Sequence, residues 1–184
     1  MSEGKELQKK LFNEKKNGWE DLSIETKCKI YDYCSSYMDF LNNGKTEREI
    51  IKESKIIAES NGFVDIKNVQ YLKPGDKVYY VNREKSMYLA VIGYDNIENG
   101  INVVGAHADS PRLDLKPNPL YEDQELVYFK THYYGGIKKY QWTTIPLAIH
   151  GVIVKKNGEK IEVNIGEDDK DPIFTVTDLL PHLA

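Results

Sequence analysis

The sequence predicts an α/β chain in which helices come first and a mixed β-sheet follows. Two observations carry that expectation. Through Gly62, apolar residues recur at spacings of three and four, the period of an amphipathic helix. Beyond Asp65 they collect instead in short β-branched and aromatic runs, separated by Pro-Gly and Asn-Gly turns. The length, 184 residues, is enough to bury one sizeable core and gives one domain, or one plus an appendage.

Taken in order, Leu7, Leu11 and Phe12 share one side of a short Lys-rich helix. After the Asn17-Gly18 break, Ser23 is an N-cap, and Ile24, Cys28, Tyr31, Cys34, Met38 and Leu41 form a single apolar stripe that is expected to face the core. Asn42-Asn43-Gly44 stops that helix. Thr46 and Glu49 form a capping box for the next, with Ile50, Ser54 and Ile57 on one face and Asn61-Gly62 closing it. Lys73-Pro74-Gly75-Asp76 is a turn, and Val78 to Val81 with Met87 to Ile92 is a hairpin around the polar Asn82 to Lys85. Ile101 to Ala106 is short, apolar and non-alternating, the pattern of a strand covered on both faces. Leu113 and Leu115 alternate with charged residues, Val127 to Tyr134 is aromatic and strand-like, and Pro146 to Val154 is a strand. Lys156-Asn157-Gly158-Glu159 turns it back into Ile161, Val163 and Ile165. Gly166 to Lys170 is an acidic, exposed loop, after which Ile173, Phe174, Val176, Leu179 and Leu180 begin a new apolar element. It stops at Ala184 without a polar tail, so the chain reads as the amino-terminal piece of a longer polypeptide.

Composition excludes several function classes. With 25 basic and 29 acidic side chains, a net charge of −4 and a pI near 5.6, the chain lacks the cationic surplus of a general nucleic-acid binder. No apolar run approaches the ~18 residues that a membrane span needs, and Met1 to Lys16 has no signal-peptide core. A hydrophobic share of 40% is too high for intrinsic disorder. Cys28 and Cys34 form no CxxC; they read as reduced, mostly buried thiols of a cytoplasmic protein, with a disulfide or a thiolate metal site as the alternative. The 13 tyrosines suit half-buried strands and interfaces, where the ring packs and the hydroxyl stays wet.

Of the four histidines, His107 carries the most information. It follows the apolar Ile101 to Ala106 run directly, among the small Gly105, Ala106 and Ala108, where a strand end delivers side chains into a crevice. Asp109, two residues on, can accept from the imidazole N–H, fix the tautomer and raise the basicity of the other nitrogen. The alternative is a strand-end histidine satisfied by a turn carboxylate. A hydrolytic zinc site needs three protein ligands and an open position, and no HExxH or Glu-Glu pair completes one here. Ser110 has no GxSxG around it, and Gly135-Gly136 is no Walker loop. The acidic runs at Glu122-Asp123 and Glu167 to Asp169 read as solvated, and His132 and His150 as structural strand residues.

The segment Val104-Gly105-Ala106-His107-Ala108-Asp109-Ser110-Pro111-Arg112-Leu113, followed by Leu115-Lys116-Pro117-Asn118-Pro119, resembles the aspartyl aminopeptidase family of dinuclear zinc metallopeptidases. Tyr134-Gly135-Gly136, the hairpin after Pro146 and Pro181-His182-Leu183-Ala184 fall in the family's order, so the resemblance runs from Gly62 to Ala184. Where the family continues Trp-Phe-Asp-Arg-Asp, this chain has Gln141-Trp142-Thr143-Thr144-Ile145-Pro146, which is similar to a bacterial branch and leaves the preferred amino-terminal residue open. The resemblance implies a zinc-exopeptidase α/β fold, with residues 1–170 the first part of the catalytic domain and 171–184 the start of an inserted dimerisation domain. It implies His107 as a zinc ligand, Asp109 as the catalytic-site carboxylate that orients it, and His182 as a substrate contact reaching a neighbouring subunit. Two zinc ions per site, peptide substrates, and dimers building into a dodecamer are implied with them, the remaining ligands and the general base lying beyond Ala184. The competing reading is a non-catalytic binding or assembly module, or a truncated relic of such an enzyme.

Overall fold

The computed structural model describes residues 3–13, 15–143 and 145–177. The chain divides into two units, Met1–Asp39 and Phe40–Ala184.

The first unit holds α1 (Glu3–Leu11) and most of α2 (Ile24–Asn43), which crosses the boundary. The Ser23 Oγ accepts from the Thr26 amide at 3.1 Å, so the expected N-cap starts α2 where the sequence places it. Lys29 and Glu25 pair along its surface at 2.6 Å. The Trp19 ring meets Tyr31 edge-on at 6.0 Å, with the Lys27 ammonium 5.8 Å over the indole. The helix is as expected but its burial is not. Ile24, Tyr31, Met38 and Leu41 are exposed, and α2 has no buried residue among those described. Cys28 and Cys34 are exposed free thiols rather than buried ones. Helical period and caps shape α2 locally, whereas burial of its stripe requires a facing surface.

The second unit is organised around α3 (Glu47–Ser60). Its capping box is complete: the Thr46 side chain accepts from the Glu49 amide, and Glu49 Oε2 takes the Thr46 amide at 2.8 Å. Asn61 caps the other end, and Gly62 follows at φ +82°, a left-handed conformation that costs glycine little. The buried face is Ile51 and Ala58, one position round the helix from the expected Ile50 and Ile57, of which Ile57 is exposed.

α3 lies against a three-stranded mixed sheet: β1 (Val64–Asp65), parallel to β2 (Lys77–Asn82), and β3 (Ser86–Val91), antiparallel to β2. The Lys73 carbonyl accepts from the Asp76 amide at 3.1 Å with Gly75 at φ +90°, a type II turn leading into β2. Val78 and Tyr79 are buried with Ile51 and Ala58, and the Tyr79 hydroxyl donates to Glu59 at 2.6 Å. Glu84, at the tip of the hairpin, pairs with Arg48 of α3 and with Lys160, both at 2.6 Å.

Two antiparallel hairpins complete the unit. β4 (Arg112–Asp123) pairs with β5 (Leu126–Tyr134), and β6 (Ile149–Val154) with β7 (Lys160–Ile165). Register in β4 shifts between Leu115 and Leu120, where Pro117 and Pro119 remove two ladder donors. The α/β class therefore holds, its strands divided among three small sheets. A four-residue helix, α4 (Lys139–Trp142), follows β5. Leu147 forms an isolated bridge with Phe174, whose ring lies 5.9 Å from that of Phe129.

One expected strand is missing. Ile101 to Pro111 has no regular structure, and Val104 is 99% exposed. A strand covered on both faces takes its ladder from its neighbours, and no described strand lies alongside. The apolar pattern alone does not hold the segment extended in a sheet.

Candidate metal centre

His107 projects from this irregular segment with its side chain 83% exposed. Two oxygens of Asp109 face its Nδ1: the carboxylate Oδ1 and the backbone carbonyl, each at 2.9 Å. Both are acceptors, so the neutral ring donates from Nδ1 and keeps its lone pair on Nε2, which points away from the pair. That is the geometry in which a histidine serves as a metal ligand through Nε2 with its other nitrogen anchored. The residues fit one corner of a zinc site: a neutral imidazole nitrogen that is sterically open, backed by a carboxylate.

Asp109 is itself held. Its Oδ2 accepts from the Tyr134 hydroxyl at 2.6 Å. That hydrogen bond is the main influence holding the carboxyl below its ordinary range; desolvation opposes it, and the Asp109 amide and His107 add to it. The same bond raises the Tyr134 phenol, since ionising it would set two negative charges side by side. Tyr134 ends β5 directly opposite Arg112, the first residue of β4. The Arg112 guanidinium lies 4.0 Å from the Tyr134 ring centroid, close enough for cation–π attraction. Arg112 Nε donates to Asp114 at 2.7 Å, and Nη2 reaches Glu47, in the first turn of α3, at 3.2 Å.

Of the residues singled out from sequence, the structure brings His107 and Asp109 together. His182 lies outside the described residues. Among those described, no three His, Cys, Asp or Glu side chains converge on a possible metal position. Arg112 and Tyr134, to which the motif pattern alone assigns no role, join the site. The signal was the hairpin register, which sets the two opposite each other and so delivers the tyrosine to a carboxylate 25 residues away. His150 is structural, as expected, but doubly engaged: its Nδ1 faces Glu49 at 2.8 Å and its Nε2 faces Glu167 at 2.9 Å. Glu167 is thereby the one acid of its run tied to a strand.

A model of the aminopeptidase I zinc metalloprotease (M18) family matches residues 40–184. The probable M18 family aminopeptidase 1 of Borrelia garinii is 50% identical over 169 residues, 92% of this chain and 37% of that protein. A protein of the same description from Clostridium acetobutylicum is 49% identical over 178 residues, covering 95% of this chain and 38% of its own length. The crystal structure of aminopeptidase I from Borrelia burgdorferi B31 superposes with a TM-score of 0.83 at 47% identity, over 90% of this chain and 41% of that one. The matching family model describes a class of zinc metalloproteases. Within it, the chain belongs to the aminopeptidase I (M18) family. The match extends from residue 40, so α3 and its capping box lie inside the family region, ahead of the Gly62 boundary read from the motifs. The chain spans somewhat over a third of the length of the curated relatives it matches, 37% in the first case.

Proposed function

We propose that the protein to which this chain belongs is a zinc-dependent aminopeptidase releasing amino-terminal residues from peptides, and that this chain contributes one metal ligand, His107, and the carboxylate that orients it, Asp109. The observation that carries the proposal is the Nδ1 contact with Asp109 at 2.9 Å, which leaves an exposed Nε2 free to coordinate. Asp109 acts on the ligand: it fixes which nitrogen bears the proton and increases electron density on the other. When bound, a pair of zinc ions supplies Lewis acidity, polarising the scissile carbonyl and lowering the pKa of the attacking water. The remaining ligands and the general base lie outside these 184 residues, as does the second half of any binuclear site. Residues 1–170 belong to the catalytic domain, and from 171 onward the chain enters a dimerisation domain in which His182 contacts substrate across a subunit interface. Dimers, a higher homo-oligomer and a cytoplasmic location belong to the same reading. No described helix is long and apolar enough to cross a membrane.

The test is a comparison of the full-length protein with its His107→Ala variant. Peptide hydrolysis and zinc affinity, measured by chelator competition, should both fall by at least tenfold in the variant; unchanged values refute the ligand assignment. The 184-residue chain alone should neither hydrolyse peptides nor bind zinc tightly. Tight binding of two ions in a calorimetric titration of that chain would show that the site is complete without further residues.

A further inference from the structure

We propose that Tyr134, braced by Arg112, is a positioning residue for His107: its hydroxyl holds the Asp109 carboxylate in the orientation that accepts the Nδ1 proton, so that the ring presents Nε2. The functional consequence rests on the zinc reading above; the effect on the imidazole does not.

His107 and Asp109 both sit in the segment Ile101 to Pro111, which has no ladder or helix to hold its backbone. A carboxylate there is free to rotate unless something outside the segment fixes it. Tyr134 does so from a different footing, since its backbone is paired in register with Arg112. Its hydroxyl reaches Asp109 Oδ2 at 2.6 Å while Oδ1 faces His107 at 2.9 Å, so the two carboxylate oxygens are divided between the two rings. The brace continues behind the tyrosine. The guanidinium stacked at 4.0 Å is itself fixed by Asp114 at 2.7 Å and Glu47 at 3.2 Å. Arg112 is suited to this: a planar cation can cover an aromatic face and still donate in its plane, which a lysine cannot. A relay of side chains thus connects the first turn of α3 to the candidate ligand, crossing the β4–β5 hairpin on the way.

A purely structural role, in which Tyr134 only staples the segment to the hairpin, would leave the tautomer of His107 unmoved. The experiment therefore reads the tautomer. The full-length protein is labelled with 15N-histidine, stripped of metal, and examined by solid-state NMR near pH 8, the His107 signal being assigned by its loss in His107→Ala. In the parent protein His107 should be mainly the Nδ1–H form, the one a free imidazole in water disfavours. Tyr134→Phe keeps the ring under Arg112 and removes one hydroxyl; it should shift His107 toward the Nε2–H form and weaken zinc affinity by roughly 10-fold or more, the scale on which outer-shell partners act. Arg112→Gln leaves the hydroxyl and loosens the ring, and should give a smaller shift in the same direction, which keeps the test available if Tyr134→Phe disturbs the fold. An unchanged His107 tautomer in a folded Tyr134→Phe protein overturns the proposal. Unchanged zinc affinity in His107→Ala overturns the zinc reading instead, and leaves the tautomer result standing.

Discussion

Tyr79 illustrates how one side chain ties an element to its neighbour. It is 4% exposed, and its hydroxyl donates to Glu59 at 2.6 Å, joining β2 to the last turn of α3. That bond, assisted by burial and by the charges of Glu59 and Asp65, pushes the phenol from about 10 up to about 12. A raised value means the native state favours the neutral phenol. Its contribution is therefore complete below pH 10 and is lost as the pH rises through 12. Tyr79→Phe should cost about 1.5–3 kcal/mol at neutral pH, the range for a hydrogen bond to a charged acceptor. Urea titrations at pH 7 and pH 11 should show the gap between parent and variant narrowing on the alkaline side. At this scale the sequence was informative where chemistry is local. His107 and Asp109 are two residues apart, and their contact could be read directly. Tyr134 could not be placed, because its contact with Asp109 depends on how the chain pairs between Arg112 and itself.

Elements whose signals lie within their own sequence formed as expected: Ser23 starts α2, the Thr46–Glu49 box starts α3, and Gly75 and Gly158 turn the chain at positive φ. Elements defined by their surroundings did not. The Ile101 to Ala106 run needs neighbouring strands to be a strand, and the α2 stripe needs a facing surface to be a core. The α3 box also does more than cap. Glu49 divides its oxygens, Oε2 serving the Lys45 and Thr46 amides at 3.0 and 2.8 Å and Oε1 meeting His150 of β6 at 2.8 Å. Burial works to raise the Glu49 carboxyl, but the His150 and Thr46 contacts outweigh it and hold it below its ordinary 4.5. Thr46→Ala removes the hydroxyl cap and leaves the Glu49–His150 link; it should lower stability by about 1 kcal/mol, measured by thermal or urea unfolding, with no change in the amide protection of β6. A loss of protection in β6 would show that the cap and the hairpin are not separable.

The molecule as a whole buries little. Ile51, Ala58, Val78 and Tyr79 are the described hydrophobic residues that are buried, two on α3 and two on β2. Tyr94, Ile97, Ile101, Val103 and Val104, in the chain leading to His107, are exposed apolar residues set among polar ones. Exposure of that extent favours association. The 184-residue chain should sediment as mixed oligomers at micromolar concentration, and Val103→Ser with Val104→Ser should shift it toward monomer; a monodisperse monomer of the parent chain would refute this. Charge follows the opposite plan. α3 distributes Arg48, Lys52, Glu49 and Glu47 to Glu84, Glu162, His150 and Arg112, so one helix addresses all three sheets.

The paired prolines of β4 have a last consequence. A hairpin whose outer edge offers an unbroken row of amide hydrogens invites a further chain to zip onto it and seed fibrils. Pro117 and Pro119 carry no amide hydrogen, and they sit where the register between β4 and β5 already slips. The longest hairpin among the described residues thus carries an interruption to regular strand pairing in the middle of its first strand.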